Sequence, residues 1–197
     1  MNTSESESIR QSPLQFIATE GASTRPVAEL TDLSLLEKWG VKGSGAASWL
    51  AEKGVEVPQT VYASRPLSQG GLVVRVGNDE FFLEAGHPDP SLAWLRDAMP
   101  DGANFTPVIR EDASLLINGS GSLALFAQTC SHRLEQSPKD QMIFTRVAGV
   151  SCGILPQSAG ESMQFRMWFD PSYATYLGET LLQIASELSG NAIDASE

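Results

Sequence analysis

A short glycine signature occurs twice in this chain, each time in the same setting, and it constrains the fold more than any other feature. Val41-Lys42-Gly43-Ser44-Gly45 closes an apolar stretch and opens a helical pattern through Ala46, Ala47, Trp49 and Leu50. Ile117-Asn118-Gly119-Ser120-Gly121 does the same ahead of Leu123, Ala124, Leu125 and Phe126. A second echo follows in each half: Asp89-Pro90-Ser91 precedes Leu92, Trp94 and Leu95, and Asp170-Pro171-Ser172 precedes Tyr173, Tyr176 and Leu177. The two echoes lie 76 and 81 residues apart. A fixed order at near-constant offset is the mark of a duplicated supersecondary unit.

The periodicities between these landmarks read as β-α-β-β-α in each half. In the first, a strand over 37–41 and a helix over 46–53 precede a hairpin, 72–76 with 80–84, around Gly77-Asn78-Asp79, whose Gly and Asn tolerate positive φ. A helix over 91–98 closes the unit. The second half has a strand over 114–117, a helix over 122–130, strands near 142–146 and 150–155, and a last strand over 163–169. There Met163, Phe165, Met167 and Phe169 alternate with Gln164, Arg166 and Trp168, the pattern of a half-buried strand. The closing helix carries Tyr173, Tyr176, Leu177, Ile184 and Leu188 on one stripe. The expected fold class is α+β, with mixed or antiparallel sheets and helices packed on them. The expected organisation is an N-terminal arm over 1–28, a first half over 29–104 and a second half over 105–197.

The arm is rich in Ser, Glu and Thr, and Pro13 and Pro26 oppose a helix. It holds one apolar cluster, Pro13-Leu14-Gln15-Phe16-Ile17, read as an anchor for a partner. Trp168, opposite the apolar face of its strand, needs a second cover and is the other expected partner contact. The net charge of −11 and pI near 4.6 argue against nucleic acid and anionic membranes, both of which ask for clustered Lys and Arg. No apolar run is long enough to span a bilayer, and Met1–Ser8 lacks the basic and apolar regions of a secretory leader. Cys130 and Cys152 form no disulfide framework, so a cytoplasmic location is expected.

Leu115-Leu116-Ile117-Asn118-Gly119-Ser120-Gly121-Ser122-Leu123-Ala124 matches the G-x-G-x-x-G/A dinucleotide fingerprint. The acidic residue expected about 20 positions on is missing from its place at the end of the next strand. The alternating parallel β-α pattern is missing too, and the Gly-Ser-Gly recurs at 43–45. A tight structural turn explains both copies. His87, Cys130 and His132 lack the convergent spacing of a metal site, and none is expected. Cys152 reads as an inert core thiol, and Trp49 and Trp94 as core residues.

Taken in order, several segments resemble the gamma subunit of bacterial heterotetrameric sarcosine oxidase, a shortened relative of the aminomethyltransferase of glycine cleavage. The segments are Arg10–Leu14, Val41–Leu50, Val74–Leu83, Leu116–Gly119, Thr145–Val150, Phe165–Trp168 and Tyr176-Leu177. The resemblance implies a non-catalytic subunit of a complex that oxidatively demethylates sarcosine to glycine and passes the one-carbon unit to tetrahydrofolate. It places FAD, FMN, NAD and tetrahydrofolate in larger partner subunits, leaving none to this chain. Gly160, Glu161 and Phe165 match the aminomethyltransferase loop whose Glu contacts folate, and Glu161 is the one implied vestige of a cofactor contact. The leading Arg and the Tyr of that loop are not matched. A stand-alone folate-binding or one-carbon transfer protein and a small nucleotide-binding enzyme using Gly119 and Gly121 are the alternative readings.

Overall fold

The strand with the cleanest alternation shows how the chain is layered. In the computed structural model, Phe165, Met167 and Phe169 are buried in the core of their own half, and Trp168 faces a different apolar layer. The structure describes residues 11–15, 27–68, 70–86, 91–160 and 162–194, the last four as backbone only. In chain order the elements are β1 (Glu29–Asp32), β2 (Lys38–Lys42), α1 (Ala46–Glu52), β3 (Ser64–Pro66), β4 (Leu72–Gly77), β5 (Glu80–Glu84) and α2 (Ala93–Arg96). Then follow β6 (Thr106–Ile109), β7 (Ala113–Asn118), α3 (Ser122–Thr129), β8 (Ile143–Val147), β9 (Val150–Ala159), β10 (Ser162–Phe169) and α4 (Ala174–Asp194).

The strands form two antiparallel five-stranded sheets, β3-β4-β5-β2-β6 and β8-β9-β10-β7-β1. Their orders correspond position by position. After its first strand, each half runs β-α-β-β-β-α, one strand more than β-α-β-β-α; the strand missing from the reading of the first half is β3, three residues with no apolar alternation to betray it. The outermost strands are exchanged. β1 lies in the first half yet pairs with β7, Glu29 opposite Asn118. β6 lies in the second half yet pairs with β2, Thr106 opposite Lys42. A division at residues 104 and 105 therefore follows the sequence repeat but cuts across the sheets.

Helices cover the outer face of each sheet, and the inner faces meet. Val41, Val73, Phe81 and Leu83 pack with Leu50 and Leu95 from the helices of the first half. Ile117, Ile154, Phe165 and Met167 pack with Leu125, Phe126, Leu177 and Leu181 in the second. Between the sheets lies a smaller layer of Leu72, Val74 and Phe82 against Met142, Leu155 and Trp168. Strand alternation supplies all three layers: Phe81 and Leu83 point outward, Phe82 and Glu84 inward.

Glu84 is fully buried in that inner layer, and its charge is matched from both sheets. Arg166 Nη1 lies 2.5 Å from its Oε1, and Trp168 Nε1 donates to Oε2 at 2.6 Å. Lys38 Nζ, also fully buried, is 3.7 Å from Oε2 and donates to the carbonyls of Leu33, Ser34 and Leu36 at 3.1, 3.1 and 3.2 Å. A buried carboxylate is tolerated only when paired and hydrogen-bonded in this way. Because Glu84 belongs to one sheet and Arg166 and Trp168 to the other, the cluster fixes how the sheets register.

Candidate functional site

The glycine turns have the same backbone in both copies. Gly43 and Gly119 take positive φ, +141° and +98°. Gly45 and Gly121 follow as helix N-caps at φ −86° and −89°, with no side-chain cap. The segments leading into the exchanged strands close both turns. Gly45 N donates to Asn104 O at 3.3 Å, and Gly121 N donates to Val27 O at 2.7 Å. A Cβ on Gly43 would stand 2.4 Å from Asn104 O, and one on Gly119 2.4 Å from Val27 O. Here glycine admits the chain's own backbone to the helix N-terminus. A phosphate at the same place would have to displace the Val27 carbonyl.

The expected partner contacts distribute unevenly. Leu14 is fully buried in the core of the second sheet, so this anchor docks on the chain itself. Ser12 Oγ holds the segment by donating to Asp32 and by accepting from Leu14 N at 3.0 Å. Pro13 is half-buried beside them, while Phe16 and Ile17 lie outside the described residues. The second cover sought for Trp168 comes from the first sheet of the same chain: it is 5 % exposed and meets Phe82 edge-on at 5.4 Å. Burial of an inner sheet face, invisible in local alternation, is the reason. Trp49 and Trp94 pack in the first core.

Glu161 and His87 lie outside the described residues. His132 is exposed and shares a hydrogen bond with Ser137 Oγ at 3.0 Å. Among the described residues no three His, Cys, Asp or Glu converge as metal ligands. Cys152 is buried, and burial pushes its thiol up to about 12, which makes it a poor nucleophile. Asp170 is held below the usual carboxylate range by hydrogen bonds from Ser172, whose N lies 2.9 Å from Oδ1. No helix among the described residues is long and apolar enough to cross a membrane.

Sequence reasoning missed a cleft of about 600 Å³ at one end of the inter-sheet layer. Val76 and Phe82 line it from the first sheet, Phe144, Arg146, Gly153 and Trp168 from the second, and Arg110 and Asp112 from the connection between sheets. Arg110 lies over the Phe82 ring at 5.4 Å and is paired with Asp112 at 2.9 and 3.2 Å. The available signal was Gly153 inside an apolar strand, a position that often marks a close approach.

No protein-family model matches this chain, and no curated protein matches it. Solved structures do. A chain of heterotetrameric sarcosine oxidase from Corynebacterium sp. U-96 is similar with a TM-score of 0.68 and 21 % identity, covering 91 % of this chain and 96 % of that one. Glycine cleavage system aminomethyltransferase T from Bartonella henselae is similar with a TM-score of 0.65 and 19 % identity, covering 81 % of this chain. This chain spans 46 % of the aminomethyltransferase's length. The two likenesses assign an α+β fold of the kind seen in sarcosine oxidase and aminomethyltransferase.

Proposed function

We propose that this chain is a non-catalytic accessory subunit, of the gamma type, in a heterotetrameric sarcosine oxidase complex. The observation that carries the reading is the extent of the likeness: nearly end to end with one chain of such a complex, against less than half of the aminomethyltransferase. The closed glycine turns add to it, since the strongest cofactor-like motif in the sequence is filled by Val27. In this reading FAD, FMN, NAD and tetrahydrofolate sit on larger partner subunits. The complex oxidises sarcosine to glycine and delivers the one-carbon unit to tetrahydrofolate. With Leu14 and Trp168 buried in the chain itself, Pro13, Phe16 and Ile17 remain the proposed contacts of the arm.

Co-expression with the flavin- and folate-binding subunits of such a complex tests this. The expected result is stoichiometric co-purification, sarcosine-dependent peroxide from the complex and none from the chain alone. Changing Phe16 and Ile17 together to Ser should weaken co-purification while the melting temperature of the chain holds. Saturable tetrahydrofolate binding with one-carbon transfer by the isolated chain would instead establish the stand-alone aminomethyltransferase-like reading, with Glu161 as its first residue to mutate.

A further inference from the structure

The β8 edge of the second sheet is covered at both ends and open in the middle. The turn Ala148-Gly149, with φ +47° and +84°, makes Val147 and Val150 the closing pair of a two-residue hairpin. From that pair the antiparallel alternation runs down β8, so Phe144 turns its N–H and C=O away from β9. The residues at either end face the same way and are paired. Met142 N donates to Tyr62 O at 2.7 Å, and Ala148 N donates to Thr129 O at 2.8 Å. Single bridges, Ala63 with Gln141 and Cys130 with Val147, mark the two covering segments. Neither segment pairs with Phe144. An unpaired donor and acceptor on a strand edge is a template for a further strand.

This gap opens on a groove of about 800 Å³. Met142 and Phe144 line it from the sheet, Tyr62 from one covering segment, and Ser131, His132 and Arg133 from the chain after α3. Its aromatic part is firmly held and yet open to solvent. Tyr62 meets Phe144 edge-on at 5.4 Å, while the two residues are 40 % and 60 % exposed. Tyr62 has φ +72°, uncommon for a bulky residue, and its N donates to Arg75 O at 2.6 Å. Strain of this kind persists where the surroundings over-determine it, and binding sites are a common place for it. The charge of the groove also differs from that of the chain. The net charge is −11, but no Asp or Glu lines the groove. Arg133 is exposed and makes no ion pair with the described residues.

From these features we infer that the groove docks one short, extended, acidic segment of a partner subunit, which adds to the sheet edge at Phe144. The segment's backbone takes the N–H and the C=O of Phe144, the mode of strand addition. The residue opposite Phe144 lies on the same face as the Phe144 ring, and an apolar side chain there replaces water on it. A carboxylate on the segment accepts charge-assisted hydrogen bonds from Arg133. The inference rests on the subunit reading above and names the chemistry of one of its contacts.

The test uses the complex obtained by co-expression with the flavin- and folate-binding subunits. Hydrogen exchange at the Phe144 amide should be slower in the complex than in the isolated chain by roughly tenfold or more. Arg133→Glu and Phe144→Ser, both at exposed positions, should each reduce co-purification several-fold with the melting temperature of the chain unchanged, and Arg133→Lys should restore most of it. A complex that forms with the Phe144 amide still exchanging fast, or that is indifferent to Arg133→Glu, would overturn the docking site and leave the subunit reading standing. Slow exchange at Phe144 in the isolated chain would overturn it as well, because the chain itself would then fill the edge. Failure of the unaltered chain to co-purify would overturn the subunit reading and this inference with it.

Discussion

The two sheets share a strand plan and differ in what covers it. In the first half the cover is α1, seven residues, and α2, four residues, and the core is filled by an aromatic relay. Trp39 meets Trp49 at 6.0 Å, and Trp49 meets Phe105 at 4.9 Å. In the second half α3 has eight residues and α4 has 21, and Leu177 and Leu181 pack in a core with an edge-on aromatic pair, Phe126 and Phe165, at 5.0 Å. The glycine turn and the segment that closes it, just ahead of the exchanged strand, are common to both. The difference teaches that the turn belongs to the architecture, whereas the length of the helical cover varies between the halves.

The comparison breaks most sharply where the two sheets share a charge. Glu84→Gln leaves Lys38 and Arg166 without their carboxylate, and should cost about 3–5 kcal/mol in urea unfolding and destabilise both halves together. A loss confined to one half would show that the cluster does not couple them. Leu14→Ala sharpens the comparison on one side only. It opens a cavity in the second core, should cost about 2–5 kcal/mol, and should speed amide exchange in β7 and β10 more than in β2 and β5. An unchanged melting temperature would put Leu14 outside the core.

Substitutions at the turns come next. Gly119→Ala and Gly43→Ala should each cost well over the roughly 1 kcal/mol of a strained backbone alone, because the Val27 or Asn104 carbonyl, just ahead of an exchanged strand, stands in the way. Gly149→Ala has positive φ, at 84°, but open space around its Cβ, so it supplies the backbone cost by itself. Equal losses at all three positions would remove the closing segments from the account. The smallest expected effect is at Cys152. Burial raises its thiol from 9.0 to about 12 in the folded chain. The neutral thiol therefore contributes stability that is whole below pH 9 and falls as pH rises toward 12. Cys152→Ala should flatten that part of the stability profile, and the native chain should react at Cys130 before Cys152.

Much of this was legible in the sequence. Glycine placement located both turns, and alternation over 163–169 sorted Phe165 from Trp168. The hairpin at Gly77-Asn78-Asp79 is present, with a bulge between Arg75 and Gly77. Helix α2 is shorter than the apolar pattern over 91–98 suggested; Glu37 Oε2 accepts from Leu92 N at 2.7 Å and helps fix where the helix starts. Exchange of β1 and β6 was not legible, because pairing partner is a property of the sheet and both segments are short edges with little apolar pattern. The inner face was hidden for the same reason. A second apolar layer turns Trp168 from a surface residue into a core residue, and only then does Glu84 acquire its partners. Phe144 looks like an ordinary edge-strand residue until Tyr62 and Gly153 are brought beside it.

The central claim, that the chain's own backbone just ahead of the exchanged strands closes both glycine turns, is tested most directly at two backbone amides. Hydrogen exchange at Gly45 and Gly121, followed by NMR with and without millimolar NAD, reads the occupancy of each turn. Hydrogen bonds to Asn104 and Val27 predict strong protection at both amides, greater at Gly121, where the bond is 2.7 Å against 3.3 Å, and no response to NAD. Unprotected amides that shift and become protected as NAD is added would contradict the account, returning Gly119 and Gly121 to the role of a nucleotide loop.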